Sequence, residues 1–328
     1  MAFLRFPSVP KKEDSPRWFG GVSISSGGRR IESAVIGSHG RGGGSPIEIR
    51  KTVSFDLPPE ITSAYTELHR LVSSDNTSIP AFFSLYRHVS RELASVEEEA
   101  INEVLADARL SKNDILAFGI KDSGLFHLPR QNTEVPSYQS LCDAAFLAEQ
   151  TGLNIIDAFS EQDIASNGRG GPLFPLPTWI FLKSDTADRI LIDLGTTARI
   201  TFLPRAENVF SHQHILYKDI VPCGSLLDSL TRSLTQGKMS VDSGGKLTVQ
   251  GCQIPELLTA FNAVQTAKKQ EQRNDWNPLG LSPAPFLEIF ARRNTSEYTV
   301  QDILCTANAF IAEVVGDAIR NILSEKKA

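Results

Sequence analysis

Residues 189–197 read Arg189-Ile190-Leu191-Ile192-Asp193-Leu194-Gly195-Thr196-Thr197. An apolar run that starts at a charge and ends at a glycine is a β-strand, and Thr196 to Phe202 is its return partner in a hairpin. The first half of the chain opens in the same way. Trp18 to Ile36 gives a strand through Val22-Ser23-Ile24, a turn at Ser25-Ser26-Gly27-Gly28, and a second strand from Ile31. A glycine cluster from Gly40 to Gly44 precedes a third strand at Ile47 to Phe55. Helical spacing follows at Pro58 to Ser73 and at Ser84 to Arg109, where Val96, Ile101 and Leu105 share one side. Ile115 to Ile120 reads as a buried strand. Leu141 to Thr151 reads as a helix stopped by Gly152, and Asn154 to Asp157 as a short strand. In the second half, Ser225 to Leu234 is helical. Thr299 to Leu323 is amphipathic, with Ile303, Ala307, Phe310, Val314 and Ile319 on its apolar side. Two halves that each open strand–turn–strand and run on into helices predict an α/β architecture with mixed sheets.

Composition narrows the class of function. The chain has 328 residues, 41% hydrophobic and 22% charged, which is ordinary for a globular protein and long enough for two domains. A net charge of −5 argues against nucleic acid as a partner. Cys142, Cys223, Cys252 and Cys305 form no CxxC pair, so buried thiols in a reducing cytoplasm are expected rather than zinc or disulfides. No apolar run reaches the roughly 18 residues that span a membrane. Residues 1–17, with three prolines and no signal-peptide core, read as a disordered tail. The proline-rich segment 172–177 marks a boundary, and the polar stretch Lys268 to Asp275 reads as solvated.

Four stretches carry chemistry. Asp163-Ile164-Ala165-Ser166-Asn167-Gly168-Arg169-Gly170-Gly171-Pro172-Leu173 sets one carboxylate before a glycine-rich loop. Asp163 is a candidate general base, and the glycines allow a sugar or anion close to backbone N–H groups; the competing reading is an N-capping aspartate. Asp193-Leu194-Gly195-Thr196-Thr197 can hold a phosphate through Gly195 and the two hydroxyls, or a Mg²⁺-bound water through Asp193, or it is a plain hairpin turn. Asp219-Ile220-Val221-Pro222-Cys223-Gly224-Ser225 reads as an acidic turn entering a helix, whose first N–H groups could bind an anion, or as a helix capped at Ser225. Gly119 to Pro129 runs a strand into a polar loop containing Lys121, Asp122, Ser123 and His127; a lone histidine is more often structural than catalytic.

Together these stretches resemble the anhydro-N-acetylmuramic acid kinase family of the actin–hexokinase–sugar-kinase superfamily. The family's D-I-A-x-G-G-Q-G-A-P-L aligns without gaps to Asp163–Leu173. Its N-I-G-G-I-A-N-I-T aligns to Asp193–Thr201, and its D-T-G-P-G-N-x-L-I-D to Asp219–Asp228. Its D-x-x-G-x-L-A-x-x-G aligns to Asp242–Gly251, and its G-S-H-G-Q-T-V-x-H-x-P to Gly119–Pro129. Ala148-Glu149-Gln150-Thr151-Gly152 matches A-E-x-T-G. The departures are local. The opening phosphate loop G-x-M-S-G-T-S-x-D-G-x-D has become Gly21 to Glu32 without its middle aspartate, H-G-Q-T has become Lys121 to Gly124, and the two asparagines of the second motif are Asp193 and Arg199. The family's adenosine-binding G-G-G-A-x-N segment has no counterpart after the last helix, so a shortened second lobe is expected.

The resemblance implies a two-lobed, actin/hexokinase-like (ribonuclease H-like) α/β fold. It places a sugar-binding lobe at 18–185 and a nucleotide-side lobe at 186–328. It implies Asp163 as catalytic base. Ser25, Ser26, Gly27, Asp193, Gly195, Thr196, Asp219 and Gly224 would face ATP and Mg²⁺. Ser123, His127, Gly168, Arg169 and Gly170 would face the sugar. The expected partner is a small amino sugar, in the cytoplasm, with a homodimer possible. The alternative is a degenerate relative that binds a sugar or a protein without catalysis. Lys121, Arg169 and Arg199 add positive charge that would suit a more anionic sugar.

Overall fold

The computed structural model describes residues 16–24, 29–40, 45–72, 78–121, 124–128, 136–207, 211–271, 281–292 and 298–325. The predicted tail to residue 15, the Ser25–Gly28 turn, most of the Gly40–Gly44 cluster, Asp122 and Ser123, and residues 272–275 of the polar stretch lie outside them. The chain forms two compact units, Met1–Leu173 and Phe174–Ala328.

In the first unit, strands β1 (Arg17–Ile24), β2 (Arg30–Ser38) and β3 (Ile47–Asp56) form an antiparallel meander. Helices α1 (Pro59–Val72) and α2 (Ile79–Ala108) follow, then β4 (Ile115–Lys121), which pairs parallel to β1. The short hairpin β5 (Phe126–Leu128) and β6 (Ser137–Gln139), helix α3 (Ala144–Thr151), strand β7 (Ile155–Ile156) and helix α4 (Phe159–Ala165) complete the unit. Sheet order is β3-β2-β1-β4-β7, with β7 parallel to β4. This mixed sheet flanked by helices is the α/β class expected from the sequence.

Side-chain alternation gives the sheet two unlike faces. Val22, Val53 and Ile120 lie in one row and Ile24, Ile31 and Phe55 beside it, packed under the stripe Val89, Leu93, Val96, Ala100, Ile101 and Val104 of α2. The other face carries the rows Thr52–Ala34–Gly21–Gly119 and Ser54–Glu32–Ser23–Lys121. These small and polar residues, with Phe159 at the start of α4, line an open groove of about 600 Å³.

Helix ends follow local chemistry. Pro80 sits in the first turn of α2, where no N–H is needed, so the helix begins five residues before the predicted Ser84. Asp143 caps α3 by accepting from the Phe146 amide (3.3 Å) and is gripped by Arg87 and Arg91 of α2 at 3.1 and 3.3 Å.

The second unit opens with helix α5 (Pro175–Leu182), then antiparallel strands β8 (Arg189–Leu194), β9 (Thr197–Leu203) and β10 (Leu216–Pro222) in the order β10-β9-β8. Helices α6 (Gly224–Leu234), α7 (Pro255–Glu271), α8 (Ala284–Arg292) and α9 (Val300–Glu325) follow. Ala198, Ile200 and Phe202 of β9 point to the helices, and Phe261, Phe286 and Phe310 meet there with ring centroids 5.3–6.1 Å apart. The division falls between Leu173 and Phe174, inside the proline-rich segment 172–177 that was expected to mark a boundary. The last residues of that segment open α5, with proline in its first turn, and Trp179 Nε1 donates to Pro204 O at 2.7 Å, so α5 belongs to the second unit. Asp219, expected in a turn, is on strand β10. Among the described residues no helix is long and apolar enough to cross a membrane, and all four cysteines are unbridged.

Candidate functional site

Asp163 lies in the last turn of α4, not at its start as an N-cap. Its carbonyl accepts from Ser166 N (3.1 Å) and Gly168 N (2.7 Å), closing the helix. Asn167 then turns the chain at φ 68°, a left-handed conformation that asparagine tolerates. The loop curls back until Gly170 N donates to Asp163 Oδ2 at 2.8 Å. Gly168 makes this possible: a Cβ there would sit 2.2–2.4 Å from the Asp163 carboxyl atoms. The half-buried carboxylate is therefore held by a neutral donor, which leaves lone pairs on its oxygens able to accept a proton.

The β5–β6 hairpin is fastened to the same loop. His127 Nε2 lies 2.8 Å from Arg169 O; a carbonyl only accepts, so Nε2 carries the proton. Tyr138, opposite His127 in the hairpin, sets its ring edge-on at 6.0 Å. The structure thus brings Asp163, Gly168, Gly170, His127 and the Arg169 backbone together, while the Arg169 side chain is exposed. Ser123, Ser25, Ser26 and Gly27 lie outside the described residues. Tyr138 was not anticipated, because its hairpin is three residues per strand and carries too little pattern to read.

The second unit gathers Asp193, Gly195, Thr196, Asp219 and Gly224 at one end of its sheet. Register places Arg199 of the central strand opposite both Asp193 and Asp219. Directly opposed residues share a sheet face. Arg199 Nε is 3.0 Å from Asp219 Oδ1 and Nη1 is 3.5 Å from Asp193 Oδ2. Tyr217, two residues before Asp219 on the same face, also donates to Asp219 Oδ1. Burial, reinforced by the hydrogen bond to Asp219 and its charge, pushes the Tyr217 phenol well above its usual range, so it stays a donor. Burial alone would lower the Arg199 guanidinium, but its acidic neighbours outweigh this and raise it. Tyr217 was missed because Asp219 was read in a turn; period-two spacing on a strand would have flagged the pair.

The start of α6 is already filled. Cys223 N and Ser225 N donate to Thr196 O at 2.9 and 3.1 Å, Ser225 Oγ donates to the same oxygen at 2.8 Å, and Gly224 N donates to Gly195 O at 3.0 Å. Leu226 N and Leu227 N turn to Cys223 O. The amides expected to bind an anion close a joint between the hairpin turn and the helix instead. The cap residue is Cys223 rather than Ser225, and burial pushes its thiol up, leaving it neutral. Asp242 accepts from Leu247 N and Thr248 N, both at 2.9 Å, and so shapes a turn.

The residues in this unit do not fit a bound Mg²⁺. The two carboxylates that would hold it face a guanidinium, and among the described residues no group of three or more His, Cys, Asp or Glu is placed to hold a metal ion. Arg199, expected to add positive charge for a sugar, is committed to these carboxylates.

A family model described as anhydro-N-acetylmuramic acid kinase matches residues 49–328. An anhydro-N-acetylmuramic acid kinase of Bacillus cereus (strain AH820) is 25% identical over 289 residues, covering 87% of this chain and 71% of its own. One of Bacillus thuringiensis (strain Al Hakam) is 24% identical over the same length, covering 87% and 70%. Among solved structures, an Aquifex aeolicus member of the Ppx/GppA family aligns over 94% of this chain and 99% of its own. Its TM-score of 0.30 and 10% identity are too low to add to the topology described above.

Proposed function

The chain belongs to the anhydro-N-acetylmuramic acid kinase family, and from that premise we propose that it opens 1,6-anhydro-N-acetylmuramic acid and phosphorylates it with ATP. Asp163 takes a proton from water, and the water oxygen attacks the anomeric carbon. The bond from that carbon to the bridging oxygen breaks, and the freed oxygen at position 6 attacks the γ-phosphorus of ATP, releasing ADP. The His127–Arg169 tie and the Gly170 amide hold the carboxylate in place. The loop Ser25–Gly27 is assigned the phosphate. No step is routed through a metal at Asp193 and Asp219.

The observation that supports this reading is the Asp163 carboxylate, held by a single backbone amide within a loop whose glycine leaves it room. The test is ADP release by the full chain with and without the anhydro-sugar. Sugar-dependent release that Asp163→Asn abolishes upholds it; equal inertness of both proteins overturns it.

The Arg199 ion pairs and the filled α6 amides favour a second reading, in which the chain binds the sugar without turnover. Thermal stabilisation by the sugar but not by ATP, with no ADP release, selects it.

A further inference from the structure

The row Asp193–Arg199–Asp219 crosses three adjacent strands on one sheet face. Two carboxylates flank one guanidinium, leaving a formal charge of −1. Strands lie about 4.8 Å apart, so the two aspartates are about 10 Å apart at the backbone. Their side chains converge over the central strand, the span over which two carboxylates and water hold a hard divalent cation. Arg199 occupies that point, reaching Asp219 at 3.0 Å and Asp193 at 3.5 Å. The Asp219 side chain is only 7% exposed, and its Oδ2 has no hydrogen-bond partner among the described residues. A carboxylate this buried needs a positive partner, and Oδ2 is a ligand atom still unused.

We propose that Arg199 is a resident substitute for a divalent cation: it closes the Asp193–Asp219 site to metal, and its removal opens a site for an oxygen-seeking ion such as Mg²⁺ or Mn²⁺. Because arginine stays charged at every physiological pH, the closure is permanent. A purely structural ion pair would leave the same geometry. It differs in one respect: its loss would not be repaired by a metal. The proposal stands apart from the kinase reading, since it concerns binding and not turnover.

The experiment follows thermal unfolding of the full chain with and without MnCl₂, with water-proton relaxation as the direct readout of bound Mn²⁺. The wild-type midpoint is expected to be unmoved. Arg199→Asn is expected to unfold at lower temperature and to gain about 5 °C when Mn²⁺ is well above its Kd. The gain is expected to vanish in Arg199→Asn/Asp193→Asn. A folded Arg199→Asn protein that neither binds Mn²⁺ nor is stabilised by it overturns the proposal. If Arg199→Asn does not fold in buffer, its refolding from urea with and without MnCl₂ decides: a fold recovered only with Mn²⁺ upholds the proposal, and no recovery overturns it. A Mn²⁺ shift in wild type that Asp193→Asn removes also overturns it.

Discussion

The Asp163 loop and the Asp193–Asp219 row begin from the same materials, an aspartate and a glycine turn, and end in opposite states. Asp163 is held by an amide, a donor without net charge. Asp219 is held by a guanidinium and a phenol. The first arrangement orients a carboxylate while leaving its charge uncompensated; the second cancels most of it. The choice of partner, more than the carboxylate itself, decides whether an acidic residue remains available for proton transfer.

The most severe way to test that contrast is Asp163→Asn. The amide oxygen can still accept from Gly170, so the fold is expected to hold, while sugar-dependent ADP release falls about 10³-fold. Retention of a large share of the activity would remove Asp163 from the base role and erase the difference between the sites. Next in size is Arg199→Met. It leaves a buried carboxylate unpaired and is expected to cost the second unit about 3 kcal/mol in urea unfolding, with the first unit's transition unchanged. A cost near zero would mean the row is not what holds the sheet face together.

Gly168→Ala sharpens the first half of the comparison. The added carbon overlaps the Asp163 carboxylate, so the side chain must swing off its amide. A fall of about 10²-fold in turnover is expected, with little loss of secondary structure by circular dichroism. The smallest effect belongs to acid. Burial pushes the Asp242 carboxyl up, but the amides of Leu247 and Thr248 outweigh it and hold it below the usual range. The Cys252 amide and the Thr299 hydroxyl do the same for Asp302. A carboxylate with a depressed folded pKa contributes stability above its unfolded value and loses it as pH falls through the folded one. Below about pH 4, amides at the start of α9 should therefore exchange faster in wild type, and Asp302→Asn should flatten that dependence.

Much of this was legible beforehand, for physical reasons. Apolar runs bounded by glycine-rich turns found β1, β2, β3 and β8, although β8 leaves Ile192 and Leu194 exposed. The helix at residues 300–325 was evident from Ile303, Ala307, Phe310 and Val314. Local chemistry without periodicity was not legible: α5 was hidden by its prolines, and α4 by its seven-residue length. Strand β10 was hidden because Tyr217 and Asp219 are polar on a face the sequence does not show to be lined by Arg199, and Lys218 between them is polar as well. For the Asp163 loop the sequence left two readings open, a general base and an N-cap, and the structure sets aside the cap. An N-cap and a residue in the last turn of a helix both precede a tight loop, and only the path of the backbone through Gly168 and Gly170 separates them. The pairing of Asp193 with Asp219 through Arg199 depends on strand register, which no single segment encodes.

The Thr196 carbonyl accepts from Cys223 N, Ser225 N and Ser225 Oγ. One peptide group therefore pins a hairpin to a helix eleven residues long. Rotating that carbonyl away would break three contacts together. The hairpin turn and the start of α6 are thereby tied through a single carbonyl.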